Sequence, residues 1–295
     1  MKKTSKSILI LVTLIILLSM YLINANLIIK EIINYSILFL TKLFPVSFLF
    51  FIISGLLIKY GLIQLISKYL NLNTSSLYIF ILSLLSGFPS GSKYTKELYN
   101  EKLLEKEAAN NILMCSHFPN PLFIFGTVNL VIKDYTLTLK LYCALFLSNL
   151  LIFIFMKKSH LKFNSNYVIE KDFSTNLSLQ IKESFNTMLL IYGTSLFFYL
   201  IVVIIIRYLV LDSYTYIFIN GLFDLTKGIL STSILNNSIT KVLYILFFIS
   251  FGGISIHMQV KSILTDTDLN YYYFLKGRIV GTFLAFIIFV LTMLF

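Results

Sequence analysis

The sequence is short of charge. Lys, Arg, Asp and Glu together make up 13% of the 295 residues, whereas the AVILMFWYC set makes up 58% and the mean hydropathy is +0.87. A soluble domain of this length needs far more polar surface, so the composition points to an integral membrane protein. Long polar stretches are missing too, and the longest, Lys157 to Glu183, is a loop rather than a domain. Cysteine is limited to Cys115 and Cys143, in or beside apolar segments and without CxxC spacing, which argues against a disulfide or a metal site. The histidines form no HExxH motif, no nucleophile elbow occurs, and no phosphate-binding glycine loop precedes a Lys-Ser or Lys-Thr pair. Enzyme chemistry therefore has no support, and no cofactor is expected. The net charge of +11 is spread among short loops with no long basic cluster, which argues against a nucleic-acid partner.

What is present is a series of apolar runs long enough to cross about 30 Å of hydrocarbon as helices. Lys2, Lys3 and Lys6 precede Ile8 to Ile23, an apolar core longer than a signal peptide's and followed by no A-x-A site, so it reads as an uncleaved first span. Leu27 to Lys42 carries Lys30, Glu31 and Lys42 and is expected at the interface. Leu43 to Ile58 reads as a second span, entered through Pro45. Leu62, Leu65, Ile66 and Tyr69 recur at helical spacing opposite Gln64, Ser67 and Lys68, as in a helix lying along the membrane. Ser75 or Ser76 can cap the apolar segment that runs to Leu85. Lys93 to Glu107 reads as two short solvated helices joined near Asn100.

Several runs are interrupted. Asn110 to Ile132 contains His117, Pro119, Asn120, Pro121 and Gly126 and is expected to be broken or re-entrant. Leu137 to Met156 and Ser184 to Ile206 are plain spans. Tyr214 to Ile234 is interrupted by Asn220-Gly221 and by Asp224 and Lys227. Val242 to Ile256 runs into Gly252-Gly253, and Phe274 to Phe295 closes the chain. Lys and Arg counts place the N-terminus and the loops at 157–182 and 261–278 on the cytoplasmic side.

The expected fold is an all-α polytopic bundle with discontinuous helices in two related halves. Its parts are residues 1–42, an N-terminal span and interfacial segment; 43–156, the first half; 157–183, a polar cytoplasmic loop; and 184–295, the second half. Ser86 to Lys93 is paired with Ser250 to His257, and Asn120-Pro121-Leu122-Phe123 with Asn220 to Asp224. Unwound backbone inside a bilayer must line a polar cavity or bind a ligand, and paired interruptions point to a binding site at the repeat interface. Helices that restart after such breaks favour an anion. Close helix packing also explains the glycines.

The break residues Gly87, Gly91, Pro121, Gly221, Gly252 and Gly253 therefore define a candidate substrate site. Lys93 is suited to a substrate carboxylate, although snorkelling explains it equally well. Asn120 offers a donor and an acceptor. Asp224, the acid inside an apolar segment, is suited to a coupling cation or a proton, with a capping role as the alternative. His257 can donate to an anion or titrate. Ser90, Ser92, Thr226, Ser255 and Gln259 supply neutral hydrogen bonds. The partners implied are the lipid bilayer and a small anionic substrate. A homo-oligomer is compatible with the sequence, and the coupling ion, H+ or Na+, is open.

Four blocks resemble the YlbJ family of sporulation integral membrane proteins, also called SpoVV, which carries nucleoside-recognition Gate sequences. Ser86-Gly87-Phe88-Pro89-Ser90-Gly91-Ser92-Lys93 is similar to S-G-Y-P-x-G-A-K, and Pro121 to Val128 to P-L-F-I-x-G-T-V. Gly221 to Gly228 is similar to G-L-F-E-I-T-x-G, and Phe251 to Val260 to F-G-G-L-S-V-H-A-Q-V. The blocks fall in order, with one departure: Pro119-Asn120 stands where the family has S-G. The resemblance implies a fold like that of concentrative nucleoside transporters. It also implies a role in moving dipicolinic acid, a planar dianion, from the mother cell across the outer forespore membrane.

Overall fold

The computed structural model describes residues 2–62, 65, 75–156 and 172–294, and every described regular element is helical. The expected amphipathic helix around Ile66 and Tyr69 and most of the polar loop after Lys157 lie outside the described residues. Among the described residues, five helices are long and apolar enough to cross a membrane, or six if one bent pair counts as a span. α1 (Lys2–Ile23) buries none of its spanning face in the protein, as suits a helix surrounded by lipid.

α2 (Ala25–Leu38) continues through a wide turn at Phe39–Leu43 into α3 (Phe44–Lys59), with a 46° bend near Pro45. The segment expected at the interface, Leu27 to Lys42, packs one face on the protein. Ile28, Tyr35 and Phe39 are buried against helix α9 (Phe173–Tyr208), and Tyr35 stacks on Tyr199. The charges at 30, 31 and 42 suggested an interface, but the apolar face at 28, 35 and 39 settles the packing. α9 also starts well before Ser184, so helix replaces the end of the polar loop expected at 157–183.

The same order of elements then occurs twice. In the first set, α4 (Ser75–Ser86) and α5 (Ser90–Asn100) form a helical hairpin, and α6 (Lys106–Ile112) leads through an extended stretch into α7 (Phe123–Ile132). The long helix α8 (Tyr135–Phe155) follows. In the second set, α10 (Ser213–Phe223) and α11 (Leu225–Ser231) form the hairpin. α12 (Ser238–Phe251) breaks at Gly252-Gly253 before α13 (Ile254–Ile263), and α14 (Tyr271–Thr292) is the long helix.

The two hairpins enter from opposite ends. At one end Lys59 pairs with Glu101 at 2.7 Å, Ser75 donates to the Leu103 carbonyl and Lys106 meets Asp268 at 2.6 Å, so the first hairpin has its base there. At the other end the Lys241 ammonium donates to the Val131 carbonyl at 3.2 Å and Tyr214 stacks on Tyr244, which fixes the base of the second. This arrangement corrects the pairing of interruptions. Ser86–Lys93 is a hairpin tip whose counterpart is the tip at Asp224, while the Gly252-Gly253 break corresponds to the break before Pro121. Gly87 and Gly252 share a positive φ, +80° and +82°, so the sequence similarity reflects a common way of ending a helix. It does not reflect a common place in the fold.

Packing of the second hairpin depends on small residues. A Cβ on Gly228 would lie 2.1 Å from the Gly221 Cα. Backbone cannot yield as a side chain does, so Gly228→Leu is expected to destabilise the protein by about 3 kcal/mol or more. The readout is the melting temperature of the purified protein and the yield of monodisperse material.

Lys93 to Glu107 forms two helices, but the first is not solvated: Ser90 to Thr95 are buried and only its far end reaches the surface. There Lys96–Asp266 and Lys106–Asp268 join the two sets, with Tyr99 donating to Asp268. The hydrogen bond from Lys106, then that from Tyr99, holds the Asp268 carboxyl below its ordinary range. Because this value is lowered on folding, its contribution is complete above the unfolded carboxylate pKa and is lost as pH falls through the folded one. These groups are well exposed, and Asp268→Asn is expected to leave the melting temperature within about 2 °C of wild type at neutral pH.

Candidate substrate site

Four interruptions meet at one cavity of about 90 Å³. The first hairpin contributes Ser86, Gly87 and Phe88, and the break before α7 contributes Pro119 and Asn120. The second hairpin contributes Asp224, Leu225 and Thr226, and the start of α13 contributes Ser255, Ile256 and Gln259. Leu43 and Ser47, with Met188, Ile191 and Ser195 of α9, complete the wall.

Local chemistry explains why the chain breaks here. Asp224 is extended (φ −133°, ψ 118°), accepts from the Lys227 N–H at 2.9 Å as the cap of α11, and accepts from the Tyr35 hydroxyl at 3.0 Å. Of the interruptions expected here, Asn220-Gly221 and Lys227 lie within helices, and the break falls at Asp224. Asn120 donates to the Leu85 carbonyl at 3.0 Å and accepts from the Leu122 N–H at 2.7 Å, tying the first tip to the start of the next helix. Its amide is thus already engaged in structure. Gln259 donates to Ser195 at 3.1 Å, whereas the buried Ser255 hydroxyl has no hydrogen-bond partner among the described residues. First-turn N–H groups at Leu225, Thr226 and Ser255 lack an intrahelical acceptor by the geometry of a helix start. The polar part of the wall is therefore made of hydroxyls, two side-chain amides, helix N-termini and one carboxylate among apolar side chains, with no Lys or Arg among the lining residues.

Of the candidate residues, Gly87, Asn120, Asp224, Thr226, Ser255 and Gln259 come together at this cavity. The others do not line it. Ser90 donates to the Gly87 carbonyl and Ser92 to that of Pro89, both tightening the first turn of α5. Lys93 lies over the Phe51 ring with Glu97 at 3.7 Å. Gly91 packs against the Ser116 carbonyl, Gly221 against Phe248 and Gly228, and Gly253 against the tip around Leu225. Gly252 supplies the positive φ, and Pro121 begins the next helix, where its missing N–H costs nothing. His257 bonds Tyr271 at 2.6 Å and the Phe251 carbonyl at 3.1 Å, bridging α13, α14 and the end of α12. Thus neither cationic candidate lines the cavity: no residue of α5 reaches it, and α13 presents Ser255, Ile256 and Gln259 to it instead of His257.

Tyr35, Ser47 and Ser195 belong to the site without having been singled out by sequence. Arg278 was also missed: counted with the 261–278 loop, it is 1% exposed inside α14. Its guanidinium donates to the carbonyls of Met114, His117 and Ser250 and to the Asn149 side chain, at 2.9–3.3 Å. The signal available was an arginine between Gly277 and Gly281 at the start of a long apolar run. Among the described residues no group of three His, Cys, Asp or Glu side chains is placed to hold a metal ion.

The chain is 23% identical over 286 residues to the sporulation integral membrane protein YlbJ of Bacillus subtilis (strain 168), a match covering 80% of this chain and 70% of that protein. It is a membrane protein related to that one. No protein-family profile matches the chain. No solved structure matches it either.

Proposed function

We propose that the protein is an alternating-access transporter of a small organic anion, acting in sporulation in the outer forespore membrane, with dipicolinic acid as its substrate. The observation that carries this reading is the meeting of two oppositely entering hairpin tips and two broken helices at one cavity, where their polar groups interrupt an otherwise apolar wall. Unwound backbone at that depth needs partners, and helix N-termini facing the cavity supply donors for carboxylate oxygens. Asp224 is the candidate for binding a coupling H+ or Na+. The relationship to the sporulation integral membrane protein YlbJ supports the choice of process, and the choice of substrate rests on the resemblance of the four sequence blocks to that family.

A second reading, a nucleoside transporter with a concentrative-nucleoside-transporter fold, is favoured by one observation: the cavity wall carries a carboxylate and neutral hydrogen-bonding groups without a cationic side chain. Proteoliposomes separate the two. Dipicolinate uptake above protein-free vesicles, with uridine uptake at background, is the expected result. Uridine uptake alone would select the second reading. Absence of flux for both, together with normal dipicolinate content in spores lacking the protein, would leave a non-transporting scaffold in the spore envelope.

A further inference from the structure

A second, larger cavity of about 450 Å³ lies between α2, α9, α10 and α11. Its polar wall includes Arg207, Lys227, Glu31, Tyr216 and Asn220. Arg207 is exposed near the end of α9 and has no ion-pair partner among the described carboxylates. The Lys227 ammonium sits over the Tyr199 ring, 4.4 Å from its centroid, and the Tyr199 hydroxyl donates to Glu31. Two cations, Arg207 and Lys227, therefore line this cavity with one carboxylate, Glu31, beside tyrosine and asparagine donors, while Asp224, which also acts on Lys227, borders the other cavity. This is the donor set that holds carboxylate oxygens, with Arg supplying a planar fork and Lys a point charge.

We propose that this cavity is an anion-binding vestibule, in which Arg207 and Lys227 capture a small dicarboxylate before it reaches, or after it leaves, the cavity at the hairpin tips. The proposal rests on the transport reading and supplies the cationic groups that the central cavity lacks. The two cavities share a wall. Tyr199 stacks on Tyr35 with ring centroids 5.1 Å apart, Tyr35 donates to Asp224, and the backbone N–H of Lys227 caps the same carboxylate. Anion binding at the Lys227 side chain thus acts on the residue whose backbone holds the second hairpin tip, a physical link between capture and movement of that tip.

The absence of tryptophan makes the proposal directly readable. A single reporter is placed in each cavity of the purified full-length protein, Leu27→Trp beside the vestibule and Phe123→Trp beside the central cavity, and dipicolinate is titrated. The Leu27→Trp emission is expected to change saturably. Arg207→Gln and Lys227→Met, each added to that reporter, are expected to raise the half-saturating concentration about tenfold, and Lys227→Arg to recover most of the loss. An unresponsive Leu27→Trp, or half-saturation unchanged within about twofold in both charge variants, overturns the vestibule. If Phe123→Trp still responds, only the vestibule is lost and the transport reading stands. Silence of both reporters, with no flux in proteoliposomes, removes both.

Discussion

Arg278→Leu is expected to yield little folded protein, with a destabilisation of about 3–5 kcal/mol in whatever can be purified. The guanidinium is the common partner of carbonyls from two different interruptions, Met114 and His117 after α6 and Ser250 at the end of α12. Carbonyls at a helix C-terminus carry the negative end of the helix dipole, and inside a bundle no water takes over when a donor is removed. Among the described residues no carboxylate accepts from Arg278; three backbone carbonyls and the Asn149 oxygen, spread over three segments, do. A lysine has one nitrogen and cannot reach such a set, so Arg278→Lys is expected to recover only part of the loss. Asn149→Ala removes one acceptor and leaves the backbone partners, and is expected to cost about 1–2 kcal/mol. Melting temperature and the fraction eluting as monodisperse protein measure all three. Arg278→Leu with a wild-type melting temperature would show that the two breaks are held independently of each other. Among the possible substitutions this one has the largest expected effect on stability, since a total stability of about 5–15 kcal/mol leaves little margin.

Much of the architecture is legible in the sequence because the bilayer imposes a simple pattern. Uninterrupted apolar runs became α1, α8 and α14, and several of the places where glycine, proline or a polar side chain broke a run became helix ends, although Asn220-Gly221 and Gly126 lie inside helices. Direction was harder to see. An interrupted run reads alike whether the chain turns back at the interruption, as at Gly87 and Asp224, or carries on, as at Gly252-Gly253. Only the contacts between the two arms distinguish these cases. Side-chain orientation was the other gap. Lys93 and His257 follow glycine-rich breaks in sequence, yet each is past the first turn's inward face and turns to Glu97 and Phe51 or to Tyr271. Tyr35 and Arg278 were hidden for a different reason. An aromatic hydroxyl in an apolar run and an arginine close to a loop are common, and only the fold brings them to Asp224 and to the exposed carbonyls.

Asp224→Asn is expected to separate the role of this residue in transport from its role in folding. Asparagine caps a helix about as well as aspartate and keeps an oxygen for the Lys227 N–H or the Tyr35 hydroxyl, so the melting temperature is expected to stay within about 4 °C of wild type. Asp224→Ala leaves both donors buried without an acceptor and is expected to cost about 2–4 kcal/mol, a loss of fold that says nothing about transport. With the fold retained, the asparagine can neither release a proton nor bind a cation as a carboxylate does. Dipicolinate flux driven by an imposed H+ or Na+ gradient is therefore expected to fall about tenfold or more, which corresponds to about 1.4 kcal/mol of lost coupling. Tyr35→Phe removes one hydrogen bond and keeps the charge, so its flux is expected to remain closer to wild type than that of Asp224→Asn. If Asp224→Asn matches wild type under both gradients, the carboxylate is a helix cap alone. The coupling ion would then have to be sought at the remaining polar groups of the cavity, beginning with the unpartnered Ser255 hydroxyl and Gln259.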